Sequence, residues 1–348
     1  MTRTLPAAWY TDPAILQRER ETIFRDNWAL FGPEHDVAEP GSWRADTVAG
    51  WPLVVVRHPD GHLNGFHNVC RHRAAALLSD GQTGQCSAIR CPYHGWTYDL
   101  DGSLKLTPKF GDPDGFSRDV FGLFPVRVAV WAGLVFVCLS NDAPDLTTWL
   151  GDVPDLAAPY PTTDDLDYHG SFVVDGPANW KTYCDNTVEG YHLPFVHQRL
   201  TKIVDQTETA IRSYQNGHLV VFHVGYHGLD TGVRGGGGIW FYRVPGFQAV
   251  LGPTGFKAER IDPVGPGALR STSWAWYGGL DDKARADAFA WAETIVREDL
   301  GICQTVQQNL EAGIYDTGIL SPKMETHTAR LQQIVRDYVE TPAAAADR

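Results

Sequence analysis

The stretch Cys91-Pro-Tyr-His-Gly-Trp96 sets a thiol and an imidazole three positions apart inside a turn-forming run. Upstream, Cys70-Arg-His-Arg73 sets another such pair two apart, and 18 residues separate His72 from Cys91. Zinc ribbons present two cysteines per knuckle, or two cysteines on one side and two histidines on the other. Here each loop offers one of each. That pairing suits a two-iron cluster at the tips of two β loops, with both cysteines on one iron and both histidines on the other. Zinc on the same four side chains, or histidines satisfied inside an ordinary core, are the alternatives.

Outward from these loops, the chain reads as short β-type runs punctuated by glycine. WPLVVVR at 51–57, HLNGFHNV at 62–69, TYDLDGSLKL at 97–106 and VRVAVWAGLVFVCL at 126–139 fit strands, with Asp101-Gly102 a hairpin turn. Before them, residues 12–31 have helical spacing with Asp12 as N-cap. A proline- and aspartate-rich stretch at 144–161 reads as a linker. Beyond it the texture mixes a helix over 178–191 with β runs at 218–226, 246–252 and 269–279. Helices at 281–311 and 322–339 follow, and Gly235–Gly238 is expected to be a mobile loop. The expected fold class is α+β, with an N-terminal helical segment (1–40), a small β domain (41–150) and a larger α+β domain (151–348).

Composition narrows the function classes. The chain has 348 residues, enough for two domains, and a net charge of −13, which argues against nucleic acid as partner. It holds no run of about 18 apolar residues and no apolar leader, so neither a membrane span nor a secretory signal is expected. Six scattered cysteines look like reduced thiols rather than a disulfide framework, and the expected location is the cytoplasm.

The run NWKTYCDNTVEGYHLPFVH at 179–197 carries a second constellation. On a helix Asp185, Glu189 and His192 fall on one face, and Pro194 is expected to end that helix near His192, so that His197 turns back to meet it. Two histidines and one carboxylate with open positions suit ferrous iron that must bind O2. The helix WAETIVREDLGICQTVQQNL at 291–310 supplies the carboxylate. Asp299 falls within its apolar stripe of Ala292, Ile295, Ile302, Cys303, Val306 and Leu310, where a carboxylate is costly unless paired or bound to metal. Glu293 and Glu298 lie off that stripe and read as solvated, and a partly exposed Asp299 is the alternative.

The C-x-H-R and C-P-Y-H-G-W motifs resemble the cluster-binding loops of Rieske proteins, in the tryptophan form of the oxygenase branch. Respiratory Rieske proteins add a disulfide between the loops, but Ala75 and Tyr93 stand at those positions here. Cys86 has no place in that pattern and reads as structural. The 179–197 block and the E-D-x3-C-x3-Q helix extend the resemblance over nearly the whole chain, to the catalytic alpha subunit of Rieske non-haem iron oxygenases.

That resemblance implies a [2Fe-2S] Rieske cluster on Cys70, His72, Cys91 and His94, and mononuclear Fe(II) on His192, His197 and Asp299. O2 would be the co-substrate. Glu189 would link His192 to cluster ligand His94 of a neighbouring subunit, and Asp185 is a second catalytic candidate. Ring-hydroxylating dioxygenases more often carry aspartate at the bridge, and the extra methylene of glutamate changes its reach. The implied catalytic fold is an antiparallel sheet gripping a long helix, in a homotrimer. No credible G-x-G-x-x-G nucleotide motif occurs, so a separate NAD(P)H-dependent reductase or ferredoxin is the expected electron source.

The resemblance covers mono- and dioxygenases, hydroxylation and oxidative demethylation. Phe222, Tyr226, Trp240, Phe241, Tyr242, Phe247, Trp274, Trp276 and Tyr277 are mostly expected in the core, and those facing a cavity suit an aromatic ring or a quaternary ammonium group. An electron-transfer protein without oxygenase activity and a zinc-stabilised ligand-binding module are the rival functions.

Overall fold

The computed structural model describes residues 1–111, 113–213, 217–226 and 237–341, without the side chains of 205–213 and Tyr226. All counts below refer to these residues. The chain divides into two units: Trp28–Leu146, and Met1–Asn27 with Thr147–Arg348.

In the Trp28–Leu146 unit, seven antiparallel strands run in the order Ala29–Pro33, Leu134–Cys138, Pro125–Trp131, Leu63–His67, Trp51–Arg57, Ser42–Val48 and Gln82–Gln85. WPLVVVR is apolar on both faces because both are covered. Leu53 and Val55 pack with Phe31, Val135 and Val137, whereas Val54 and Val56 pack with Phe66, Cys70, Cys91 and Trp96. The unit starts at Trp28 rather than 41 because Ala29–Pro33 pairs with Leu134–Cys138 and so belongs to this sheet. A second, three-stranded sheet of Ile89–Arg90, Thr97–Tyr98 and Leu104–Leu106 carries the 91–96 loop. Its Asp101-Gly102 turn has Gly102 at φ +86°, a conformation that suits glycine.

The other unit has an antiparallel meander in the order Asp167–Gly176, Ala268–Tyr277, Gly255–Gly265, Phe247–Gly252, Gly237–Arg243, Leu219–Tyr226 and Val204–Ser213. The long helix Asp282–Glu311 and the helices Trp180–Thr187 and Thr326–Glu340 accompany it. Asp12 caps Pro13–Glu19 by accepting from Ala14 N at 2.8 Å, as expected.

Four expectations need revision. The 144–161 stretch folds into the short helices Leu146–Leu150 and Val153–Ala157, anchored by buried Trp149. Gly237 and Gly238 are strand residues, needed because a Cβ on Gly237 would strike Val224 O on the neighbouring strand; Gly235 and Gly236 lie outside the described residues. The helix from Asn179 stops at Thr187, short of the expected 191. Pro194 starts the turn Leu193–Val196 instead of ending a helix, since a proline in the first turn loses no hydrogen bond.

The N-W-K motif binds the N-terminal segment to this unit. Asn179 caps the helix by accepting from Lys181 N at 2.9 Å, Trp180 Nε1 donates to Glu19 Oε2 at 2.8 Å, and Lys181 Nζ lies 2.6 Å from Glu19 Oε1. Glu19 and Lys181 are almost wholly buried. Burial pushes Glu19 up and Lys181 down, and each opposes the other's shift through their contact. Removing one partner strands the other, so Lys181→Met should cost about 3–5 kcal/mol in denaturant unfolding. The double variant Glu19→Gln/Lys181→Met should recover most of that loss; if it is as unstable as the single variant, the pair is not the cause.

Candidate metal centres and their surroundings

Two constellations emerge, one in each unit. In the Trp28–Leu146 unit, Cys91 N donates to Trp96 O at 2.7 Å and Gly95 N to Cys91 O at 3.1 Å, closing the second loop on itself. In the first loop, Cys70 N donates to Ala75 O at 2.8 Å and Ala74 N to Cys70 O at 2.9 Å. Both thiols are buried, His72 is half-buried and His94 exposed. The imidazole centroids lie 4.7 Å apart, with His72 stacked on Trp96 at 4.9 Å and 6°. Tyr98 Oη is 3.4 Å from Cys70 Sγ and accepts from Arg71 N at 3.0 Å.

The loops therefore bring all four expected residues together, sulfurs inward and imidazoles outward. Burial raises Cys91, and its neighbour Cys70 adds to the rise. Two adjacent buried thiolates need a cation between them, so the donor set fits a two-iron cluster. Cys86 packs against the same core as a free thiol, raised by burial, in keeping with a structural part.

In the other unit, one potential ligand atom from each of His192, His197 and Asp299 lies within 4.8 Å of the others. His197 Nε2 is 2.8 Å and His192 Nε2 3.4 Å from Asp299 Oδ1. Each Nδ1 faces a different carboxylate: His192 meets Glu189 Oε1 at 2.6 Å, and His197 meets Glu298 Oε2 at 2.7 Å. Burial alone would lower His192, but Asp299 and Glu189 outweigh it and raise it to about 9. Burial alone would raise Asp299, but the two histidines pull it down to about 2. His197 is raised despite burial, chiefly by Asp299. The centre thus favours positive charge, and its two-imidazole, one-carboxylate donors fit a divalent iron.

The sequence expectations divide here. Glu189, His192, His197 and Asp299 come together. Asp185 does not join them: the helix ends before Glu189, so the shared face never forms. Asp185 instead accepts from Tyr10 Oη at 2.7 Å and Gln332 Nε2 at 2.9 Å, and burial raises it to about 7. Its neighbour Asn186 takes the place at the centre, donating to Asp299 Oδ1 at 2.7 Å.

Glu298 is not simply solvated, because it backs His197; its only sequence signal is adjacency to Asp299. Glu293 pairs with exposed Arg297, as a surface residue should. The buried stripe is Val296, Leu300, Cys303, Gln307 and Leu310, with Ile302 and Val306 exposed. Cys303 Sγ meets Thr182 O at 3.6 Å and Gln307 accepts from Asn179 N at 3.0 Å, so the C-x3-Q part of the motif docks the two helices.

Comparison with known proteins matches a domain model to each part of the chain that carries one of these constellations. The Rieske [2Fe-2S] domain model matches residues 27–122, and the ring hydroxylating alpha subunit catalytic-domain model matches 163–235 and 245–341. Chloroplastic choline monooxygenase of Atriplex hortensis is 28% identical over 332 residues, 90% of this chain and 73% of that protein. The carnitine monooxygenase oxygenase subunit of Acinetobacter pittii is 32% identical over 214 residues, 61% of this chain and 57% of that one. The solved quaternary ammonium Rieske monooxygenase CntA with L-carnitine superposes with a TM-score of 0.84 at 26% identity, covering 97% of this chain and 95% of that one. Rhodococcus naphthalene 1,2-dioxygenase shares the fold, with a TM-score of 0.79 at 21% identity over 97% of this chain and 95% of that one. With a Rieske [2Fe-2S] domain followed by an alpha-subunit catalytic domain, this chain belongs to the Rieske non-haem iron oxygenases.

Proposed function

We propose that this chain is the terminal oxygenase component of a multicomponent system that hydroxylates, or oxidatively demethylates, a quaternary ammonium compound. The carrying observation is the His192–His197–Asp299 centre with a carboxylate behind each imidazole, in a chain that also has the Rieske loops. A pure electron carrier needs no such centre, and a module stabilised by zinc on the four loop residues needs no second centre either.

In this reading Cys70, His72, Cys91 and His94 hold the cluster, and His192, His197 and Asp299 hold the iron. Bound in these places, the cluster supplies single electrons and the iron activates O2. The residues around the centre fix its geometry. Glu189 and Glu298 set the orientation of the two rings, and Asn186 steadies the Asp299 carboxylate. Overall, a substrate C–H and O2 take two electrons and two protons to give C–OH and water. Demethylation follows when the new hydroxyl sits on an N-methyl carbon, which then leaves as the aldehyde. The electrons come from a separate NAD(P)H-dependent reductase or ferredoxin.

The substrate class rests on relatives named for choline, carnitine and glycine betaine. In this chain, Phe222 and Trp240 are cross-strand partners on neighbouring strands, and Trp240 Nε1 is buried with no hydrogen-bond partner among the described residues. An aromatic face turned toward the centre would hold a desolvated quaternary ammonium group by about 2 kcal/mol. A homotrimer in the cytoplasm completes the reading. Among the described residues, no helix is long and apolar enough to cross a membrane.

The test is a coupled assay with a reductase, NADH and O2, comparing choline, carnitine and glycine betaine with naphthalene and other neutral aromatics. Product from a quaternary ammonium compound, at a kcat/KM at least about tenfold above any aromatic, is expected. Product from aromatics alone would move the substrate class, and no oxygenated product from either, with a reducible cluster, would favour the electron carrier.

A further inference from the structure

The hairpin joining Trp51–Arg57 to Leu63–His67 carries His58-Pro-Asp-Gly-His62, a group that the oxygenase chemistry does not use. Its backbone is closed by His58 N donating to His62 O at 2.9 Å and Gly61 N donating to His58 O at 2.9 Å. Gly61 sits at φ +97°, where a side chain is disfavoured. This turn places the two imidazoles side by side, with centroids 4.6 Å apart and planes at 24°.

Asp60 stands between them. Its Oδ1 is 2.9 Å from His58 Nδ1 and also contacts His62 Nδ1. One potential ligand atom from each residue lies within 4.8 Å of the others. Tetrahedral zinc with bonds of about 2.0–2.1 Å sets its ligands about 3.3 Å apart, within that limit.

We propose that the hairpin end His58–His62 is a binding site for a divalent cation of the zinc class, held by His58 Nδ1, Asp60 Oδ1 and His62 Nδ1. The donor set is two borderline nitrogens and one carboxylate oxygen, a combination that zinc accepts and magnesium or calcium does not favour. Three protein ligands leave a fourth position for water or for a donor from another molecule. The half-buried His58 and exposed Asp60 and His62 leave that position open to solvent.

The experiment is calorimetric titration of the iron-loaded protein with Zn2+ alone, in a non-chelating buffer, with released iron assayed in parallel. The wild-type chain should bind one Zn2+ without releasing iron. His62→Ala and Asp60→Asn should each weaken that binding at least about 100-fold, beyond what loss of an outer-shell partner causes. Both variants should keep the cluster absorption of the wild type, which reports a folded Rieske unit. Equal Zn2+ affinity in the wild type and both variants would overturn the site. So would binding matched by an equal release of iron, because the zinc would then be entering the catalytic centre.

Discussion

Replacing Asp299 with alanine should abolish oxygenation and remove one iron of about three per chain, while the red-brown absorption of the cluster stays unchanged. The expectation follows from where the two histidines aim. Both Nε2 atoms face Asp299 Oδ1, at 2.8 and 3.4 Å, so this oxygen marks the one position that all three groups share. Glu189 and Glu298 are bound to the opposite ring nitrogens and cannot reach around to replace it. Removing Asp299 leaves two imidazole ligands and a centre without its own negative charge. Two neutral ligands bind ferrous iron too weakly to survive purification.

Asp299→Asn would test charge against shape, because the amide fills the same volume and still meets Asn186. Residual activity below about 1% of wild type is expected in both variants, which corresponds to more than about 2.7 kcal/mol of lost transition-state stabilisation. The cluster serves as the internal control, since its loops belong to the other compact unit, Trp28–Leu146. Normal iron content with normal turnover in Asp299→Ala would mean that another carboxylate holds the metal. Loss of the cluster absorption as well would mean that the substitution had damaged the fold instead.

Candidate metal ligands are the easiest residues to read from a sequence, because their chemistry narrows the choice to a few side chains. Cys70, His72, Cys91 and His94 stand out by spacing alone. His192, His197 and Asp299 need the added premise that a buried carboxylate requires a partner. The parts that fix the ligands are harder to see. Glu298 looks like any helix-surface glutamate until the turn Leu193–Val196 brings His197 against it. Asn186 carries no such signal, because a helix continued past Thr187 points Asp185 rather than Asn186 at the centre.

The same local detail decides the domain border. Trp28 to Phe31 continue a helical pattern in sequence, but Leu134–Cys138 offers an open edge, and strand pairing over that distance leaves no local trace. The helix end at Thr187 and the proline at the second position of the next turn were likewise settled by tertiary packing. Apolar periodicity therefore located the elements, and long-range contacts chose their ends.

Glu189→Gln should leave both metal sites filled and the cluster reducible, yet lower the product formed per reduced cluster in a single turnover at least about tenfold. Glu189 Oε1 lies 2.6 Å from His192 Nδ1, on the ring nitrogen that faces away from Asp299. It is therefore placed to orient a ligand without holding the metal. Its other oxygen, Oε2, accepts from the backbone N–H groups of Tyr191 and His192, so the loop beyond Thr187 holds the carboxylate in position. In the proposed bridge to an imidazole of a partner subunit, Oε2 would give up part of this anchorage. The longer glutamate side chain makes that exchange geometrically easier than aspartate would. Glutamine keeps the length but replaces one acceptor with a donor and removes the charge that favours both N–H groups. Its amide NH2 would face donors wherever it points. A variant that gives wild-type product yield per reduced cluster would show that Glu189 only closes its own loop, and the electron would then have to pass by another group. A variant that loses iron from the catalytic centre would make Glu189 a support of the ligand His192 alone. Only slow product formation with full metal occupancy supports the bridge.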